Sequence, residues 1–133
     1  MTRLFLAPRS NETSRAHFLA TLESGYPIKD VEQFLTEGER NLFSEKKSLY
    51  IWGNQKAKKG SWNKMNIGDF VAFYAKGELV YVGKCILKKH SAELARQLWG
   101  NDPKKKDQNA TWEYTFFLSL KPQPRLFYLL RHI

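Results

Sequence analysis

The first half of the chain alternates apolar and polar positions in patterns that predict strands and short helices. Apolar residues dominate positions 3–7, which predicts a first strand. Asn11 is a favourable N-cap, and the apolar spacing after it predicts a helix that Gly25 ends. A second short helix is expected over residues 30–38, and the aromatic and aliphatic run at 48–52 predicts the next strand.

The second half continues this mixture after a polar, basic stretch at residues 53–65, for which we expect a long loop. Residues 69–76 and 79–88 are rich in Val, Ile, Phe and Tyr and predict two strands joined by a tight turn. Ser91 is expected to cap a third helix, and residues 112–121 predict the last clear strand. Because the central strands form a hairpin without a crossover helix, the sequence predicts an α+β fold with a curved, largely antiparallel sheet and flanking helices.

The length and composition indicate one folded domain. The chain has 133 residues, 42% of them hydrophobic, which is enough to bury a core. The single cysteine, Cys85, excludes an internal disulfide framework and favours a reducing compartment. No apolar run approaches the roughly 20 residues that a membrane helix needs, so a cytoplasmic protein without membrane contact is expected. We expect the main domain to span residues 1–121, with residues 122–133 closing the sheet or leading into a further domain.

Residues suited to catalysis or metal binding are sparse. His17, His90 and His132 are far apart, and none is spaced from Cys85 as metal ligands are. Each histidine is predicted to be an ordinary surface or packing residue. The segment 53–61 contains glycines and lysines, but not in the order that cradles a triphosphate. We therefore expect a binding protein, not an enzyme, with no catalytic residues, metal or cofactor.

Positive charge is the first indication of a partner. The chain has 22 Lys and Arg against 13 Asp and Glu, a formal net charge of +9. Such a surplus attracts polyanions and releases counterions on contact, although a basic protein without a nucleic-acid partner is compatible with the same charge. The lysines that we expect to contact phosphates fall in two runs: Lys56, Lys58, Lys59, Lys64, Lys104, Lys105 and Lys106.

The tryptophans favour nucleic acid over an incidental charge. Trp52 ends a predicted strand beside the first lysine run, and Trp99 ends a predicted helix before the second. Indoles at these positions can stack on a flat base, which is worth about 1–3 kcal/mol per base. Trp112 is instead predicted to be a core residue, since it shares a strand face with Tyr114 and Phe116.

Several short motifs occur along the chain in a characteristic order: a first strand followed by Ser-Asn, a strand that ends in Trp, a Met-x-x-Gly-Asp turn, two apolar strands and a late tryptophan-containing segment. They are Phe-Leu-Ala-Pro-Arg-Ser-Asn (5–11), Leu-Tyr-Ile-Trp-Gly (49–53), Trp-Asn-Lys-Met (62–65), Gly-Asp-Phe-Val-Ala-Phe-Tyr (68–74), Val-Gly (82–83), Leu-Trp-Gly-Asn-Asp (98–102) and Thr-Trp-Glu-Tyr-Thr-Phe-Phe (111–117). This order, over roughly residues 3–121, resembles the EVE and YTH domains of the PUA-like superfamily.

The resemblance implies a PUA-like curved sheet or barrel with flanking helices and an aromatic cage that holds a modified base. By motif position, Trp52 is similar to the first cage tryptophan, and Trp99 is the best match to the second wall. Asn11 matches the polar residue near the base edge, and Ser10 is its neighbour. Trp62 is a candidate either for a third wall or for an anchor of the basic loop.

The chain also looks like the N-terminal specificity domains of McrB-type modification-dependent restriction systems. This similarity implies a module that binds double-stranded DNA, flips a methylated base and targets a motor and a nuclease that lie elsewhere. Oligomerisation would then occur through the motor domain. The alternatives are an RNA-binding PUA-like module and a protein-interaction or small-ligand domain. An enzymatic role ranks last and rests only on PUA-like relatives that hydrolyse modified nucleosides.

Overall fold

The computed structural model describes residues 2–8, 11–75 and 78–119, which form a six-stranded sheet. The strand order is β1-β4-β5-β6-β3-β2, and among these described strands only the pair β1 and β4 is parallel. Ser10 and the predicted C-terminal segment 122–133 lie outside the described residues. The strands are β1 (Leu4–Pro8), β2 (Tyr26–Pro27), β3 (Ser48–Asn54), β4 (Phe70–Ala75), β5 (Glu78–His90) and β6 (Tyr114–Ser119).

The sheet curves because its longest strand pairs with two partners in succession. The first part of β5 pairs with β4, and its second part pairs with β6. The register shifts between Cys85 and Leu87 and again between Phe73 and Tyr74. Such bulges bend a strand and increase its twist, which allows one sheet to wrap around a core.

The described part of the chain has four α-helices, which flank the sheet: α1 (Glu12–Phe18), α2 (Glu37–Leu42), α3 (Lys59–Lys64) and α4 (Ala92–Trp99). A π-helical turn, Leu19–Glu23, extends α1 towards Gly25, so the predicted first helix is confirmed. The Ser91 side chain accepts a hydrogen bond from the backbone N–H of Leu94, as expected of the cap of α4.

Two predicted segments differ from the structure. Residues 28–34 form two short 3-10 turns instead of one helix. Gly38 does not end a helix but lies inside α2, because Thr36 and Glu39 form a reciprocal capping box that starts the helix there. The predicted loop at residues 53–65 contains a 3-10 turn, Lys56–Lys58, and then α3.

Apolar side chains pack on both faces of the sheet. Along β3, Tyr50 and Trp52 face an inner core, while Leu49 and Ile51 face an outer core. The inner core is closed by α1 and its π-helical turn, and the outer core by α4 and the segment 31–43. The predicted α+β fold, with a curved, largely antiparallel sheet and flanking helices, is confirmed. Among the described residues, no helix is long and apolar enough to span a membrane.

Candidate nucleic-acid interface

Four aromatic residues, which we call the aromatic cluster, meet at the end of the sheet where β3 finishes: His17, Trp52, Trp99 and Trp112. The imidazole of His17 contacts all three indoles. It is stacked on Trp99, with ring centroids 5.3 Å apart and planes 20° from parallel. It meets Trp112 edge-on at 4.2 Å and Trp52 edge-on at 6.4 Å. The sheet end thus brings three indoles around one smaller ring.

The two tryptophans singled out from the sequence reach this cluster from different layers. Trp52 belongs to the inner core, is 7% exposed and meets the ring of Phe73 edge-on at 5.1 Å. Trp99 is the last residue of α4, whose Leu94 and Leu98 are buried in the outer core. Each indole is therefore held by an element that the core fixes in place.

Two glycines let the tryptophans approach the strand. A Cβ on Gly53 would overlap the carbonyl oxygen of Trp112 and lie 2.7 Å from the ring of Trp99, so no larger residue fits without movement. Gly100 directly follows Trp99 and has φ 74° and ψ −168°, a conformation that is accessible essentially to glycine alone. The chain can therefore turn away at once after the indole.

His17 comes from α1, which the hydroxyl of Thr21 ties to β3. That hydroxyl donates to the carbonyl oxygen of Ile51 at 2.5 Å and lies 3.1 Å from the carbonyl oxygen of His17. Burial lowers the pKa of His17 from 6.5 to about 4, and the negative charge of Asp102 opposes this shift without overcoming it. The imidazole is therefore neutral at pH 7.

One buried polar atom of the cluster lacks a partner among the described residues. The indole Nε1 of Trp99 is buried and makes no hydrogen bond with any of the described residues. A buried donor without an acceptor costs about 1–3 kcal/mol, so such groups are rare and call for an explanation.

Two basic segments, residues 55–64 and 101–110, border the aromatic cluster. The side chain of Gln55 donates a hydrogen bond of 2.7 Å to the carboxylate of Asp102, which joins them. This bond holds the pKa of Asp102 below its ordinary value, and the backbone N–H of Lys104 donates to the same carboxylate. The seven lysines predicted to contact phosphates all lie in these segments and are all exposed.

Trp62 does not join the aromatic cluster. Its indole N–H donates to the carbonyl oxygen of Thr115 at 2.9 Å, and its ring meets Tyr114 edge-on at 5.4 Å. The ammonium of Lys88 lies 4.1 Å from the ring centroid of Trp62. Of the two roles considered for Trp62, these contacts fit an anchor that holds the first basic segment on β6.

Asn11 is the N-cap of α1. Its side-chain oxygen accepts a hydrogen bond from the backbone N–H of Ser14 at 2.7 Å, and the residue is exposed. Its amide nitrogen takes no part in the cap. A role for Asn11 or Ser10 at a base edge stays a prediction.

Two members of the cluster were not expected from the sequence. His17 was predicted to be an ordinary surface or packing residue, and Trp112 a core residue of the last strand. Strand β6 begins two positions later, at Tyr114, and half-buried Trp112 turns towards His17. Cys85 is buried in β5, and burial raises its pKa to about 11. Within the described residues, no three His, Cys, Asp or Glu side chains are grouped to hold a metal ion.

Comparison with known proteins identifies a structural relative. No protein-family model and no curated protein matches the sequence. The structure is similar to the N-terminal domain of McrB from Thermococcus gammatolerans, solved bound to m5C DNA, with a TM-score of 0.66. The chain shares the fold of that domain. The match covers 92% of this chain and 78% of the McrB domain at 16% sequence identity. The resemblance to McrB-type specificity domains inferred from the sequence is confirmed at the level of the fold.

Proposed function

We propose that this chain is a DNA-binding module that recognises a methylated base, flipped out of the double helix into the aromatic cluster. The observation that carries the proposal is the meeting of three tryptophans at one end of the sheet, between two lysine-bearing segments. The shared fold with a McrB domain solved on m5C DNA supports the same class of ligand.

The energetics of base flipping fit this arrangement. Extruding a base costs a few kcal/mol of stacking and pairing. Stacking on an indole returns about 1–3 kcal/mol, and lysine–phosphate contacts contribute the rest. A methyl group adds apolar area and polarisability against the indoles, which favours the modified base. We assign the base edge to Asn11 and its neighbour Ser10, and we assign Trp62 to the support of the first basic segment.

We further propose that the module is the targeting domain of a modification-dependent restriction system in the cytoplasm. We assign the binding domain to residues 1–121. The motor and nuclease activities belong elsewhere, and oligomerisation occurs through the motor. The module itself performs no catalysis.

The test is a binding titration with duplexes of one sequence that carry unmodified bases, 5-methylcytosine or N6-methyladenine. We expect tighter binding to one methylated duplex, and we expect Trp99→Ala to lose that preference while it keeps the salt-dependent binding of unmodified DNA. Equal affinity of the wild-type protein for all three duplexes would contradict recognition of these modifications.

The same titration separates the alternative functions. A preference for single-stranded RNA with the same methylated base over the DNA duplex would identify an RNA-binding module. Binding that does not weaken as salt is raised would indicate that the lysines do not contact phosphates, and that the domain serves a protein or a small ligand.

A further inference from the structure

The ring of His17 takes the place that a flat heterocycle would take in the aromatic cluster. It is stacked on Trp99 at a centroid distance of 5.3 Å, and the edges of Trp52 and Trp112 approach it from other directions. These separations lie in the range of offset-stacked and edge-on aromatic pairs. A base that stacks on this side of Trp99 meets the imidazole first.

Among the described residues, the imidazole makes aromatic contacts with three indoles and no hydrogen bond. Its ring nitrogens make no hydrogen bond with the described residues, whereas the indole N–H of Trp62 is bonded to the backbone of β6. The ring is half-buried, and its nitrogens are not among the buried atoms that lack a partner, so the neutral imidazole gives up no hydrogen bond when it moves out into water. Leaving the cluster breaks no hydrogen bond of the side chain.

The backbone beneath the ring can stay in place while the side chain moves. Thr21 fixes the π-helical turn to β3 through the carbonyl of Ile51, and the next residue, Phe18, is buried in the inner core. We therefore expect a rotation about the side-chain bonds of His17, and not a movement of α1, to vacate the space. The buried N–H of Trp99, which has no acceptor in the described part of the chain, also indicates a site that lacks an acceptor until a ligand arrives.

We propose that His17 is a displaceable occupant of the base site, which fills the space between the three indoles in the free protein and leaves it when the base enters. The inference deepens the proposed function and rests on it for the identity of the ligand. Displacement sets a threshold for binding, because a base must interact with the indoles more favourably than the imidazole does. A methylated base, with its larger apolar surface, meets that threshold more readily than an unmodified one.

A series at this position tests the proposal with free methylated nucleosides, N6-methyladenosine and 5-methylcytidine, followed by tryptophan fluorescence. If the ring must leave, His17→Ala binds about tenfold or more tightly than wild type. In this variant no ring fills the base site, so no binding free energy is used to move it out. His17→Phe binds more weakly than wild type, because an apolar ring is harder to expel into water. If His17 instead stays in place as part of the base site, the order of affinities reverses, and His17→Ala binds more weakly than wild type. That reversal, or the failure of His17→Ala to bind either nucleoside, overturns the proposal.

Nuclear magnetic resonance of the wild-type protein gives an independent readout. The ring protons of His17 lie close to three indoles and are shifted by their ring currents in the free protein. On addition of the preferred nucleoside or duplex, we expect them to move to the positions of a solvent-exposed histidine. Shifts that persist in the complex mean that the ring has stayed, which contradicts displacement. Thermal unfolding of each variant, with His17→Gln as a volume-retaining control, shows that the fold is intact.

The two proposals fail in distinguishable ways. If the nucleosides bind in the order Ala, His, Phe but the duplexes are not discriminated, the cluster is a heterocycle site and DNA recognition is wrong. If a methylated duplex is preferred but His17→Ala weakens binding, the function stands and displacement is wrong.

Discussion

The side-chain amide of Gln55 donates a hydrogen bond to the carboxylate of Asp102, with 2.7 Å between the nitrogen and the oxygen. Gln55 directly follows β3, and Asp102 comes shortly after α4, so this bond ties together the ends of the two elements that carry Trp52 and Trp99. It also places Asp102 near enough to influence the pKa of His17. The two basic segments and the aromatic cluster are thus one connected region.

Gln55→Ala is expected to loosen the second basic segment without unfolding the domain. The Asp102 carboxylate loses a hydrogen bond, so backbone amides in residues 101–110 should exchange with solvent faster while those of β4 and β5 are unchanged. Gln33→Ala is the matched control, because Gln33 also donates a side-chain hydrogen bond, but to Gln97 of α4 and not to the second basic segment. Equal exchange of residues 101–110 in all three proteins would show that the bond does not organise the segment.

Gly53→Ala should disturb the aromatic cluster from the side of strand β3. The new methyl would overlap the carbonyl oxygen of Trp112 and lie 2.7 Å from the ring of Trp99, so one of them must shift. We expect a loss of about 1–3 kcal/mol in the free energy of unfolding, as for other overpacked sites, together with weaker discrimination of methylated DNA.

Gly60→Ala is the control for this substitution. Gly60 lies in α3 with nothing within 4 Å of an added Cβ. Alanine is the better helix former, so a gain of up to about 1 kcal/mol is expected. Chemical denaturation measures both variants, and equal stability of the two would refute the close approach at Gly53.

The parts of this fold that follow from local patterns were predicted well. The β4–β5 hairpin comes from two runs of β-forming residues around a short turn, and Ser91 caps α4 as its position before an amphipathic segment suggests. The start of α2 was missed, because the Thr36–Glu39 capping box outweighs the tendency of Gly38 to end a helix. Helix α3 has little apolar periodicity and is held by the tertiary contacts of Trp62, which a local pattern does not contain.

The candidate site shows the same division. Trp52 and Trp99 were recognisable as site residues because each ends an element beside lysines. His17 was not, because its neighbours in the cluster come from β3, α4 and the segment before β6, and its own helix gives no sign of them. Trp112 was assigned to the last strand from the alternation of apolar and polar positions. The strand starts at Tyr114, however, and the indole of Trp112 lies before it, in contact with His17.

The stability of the protein should depend on pH through His17. Burial lowers its pKa to about 4, while in the unfolded chain it is near 6.5. Between these values the unfolded state binds a proton that the folded state does not, so the free energy of unfolding falls as the pH is lowered from 6.5 towards 4. The free energy of unfolding should fall by about 1–2 kcal/mol. A fully buried imidazole with the same change in pKa would lose more, but this ring is half-buried and partly screened by water.

Comparison with His17→Gln isolates this contribution, since glutamine does not titrate. The difference in unfolding free energy between wild type and variant should be constant above pH 6.5 and should shift against the wild type below it. Parallel stability curves from pH 7.5 to pH 4.5 would mean that the imidazole is not shielded by the indoles.

The lysines of the two basic segments should set the salt dependence of DNA binding, and their position, not their charge alone, should matter. Lys58→Ala with Lys105→Ala removes two exposed charges beside the aromatic cluster. Removing one lysine–phosphate interaction lowers the slope of log Kobs against log salt by about 0.9 in magnitude, so the slope of the double variant should fall by up to about 2.

Lys46→Ala with Lys47→Ala removes the same charge from the opposite end of β3, which begins at Ser48. That control leaves the surroundings of the cluster unchanged and should retain nearly the whole slope. Both double variants should keep the wild-type preference for a methylated duplex, because phosphates carry no information about the base. If the two pairs reduce the slope equally, DNA responds only to net charge and the basic segments do not form the interface.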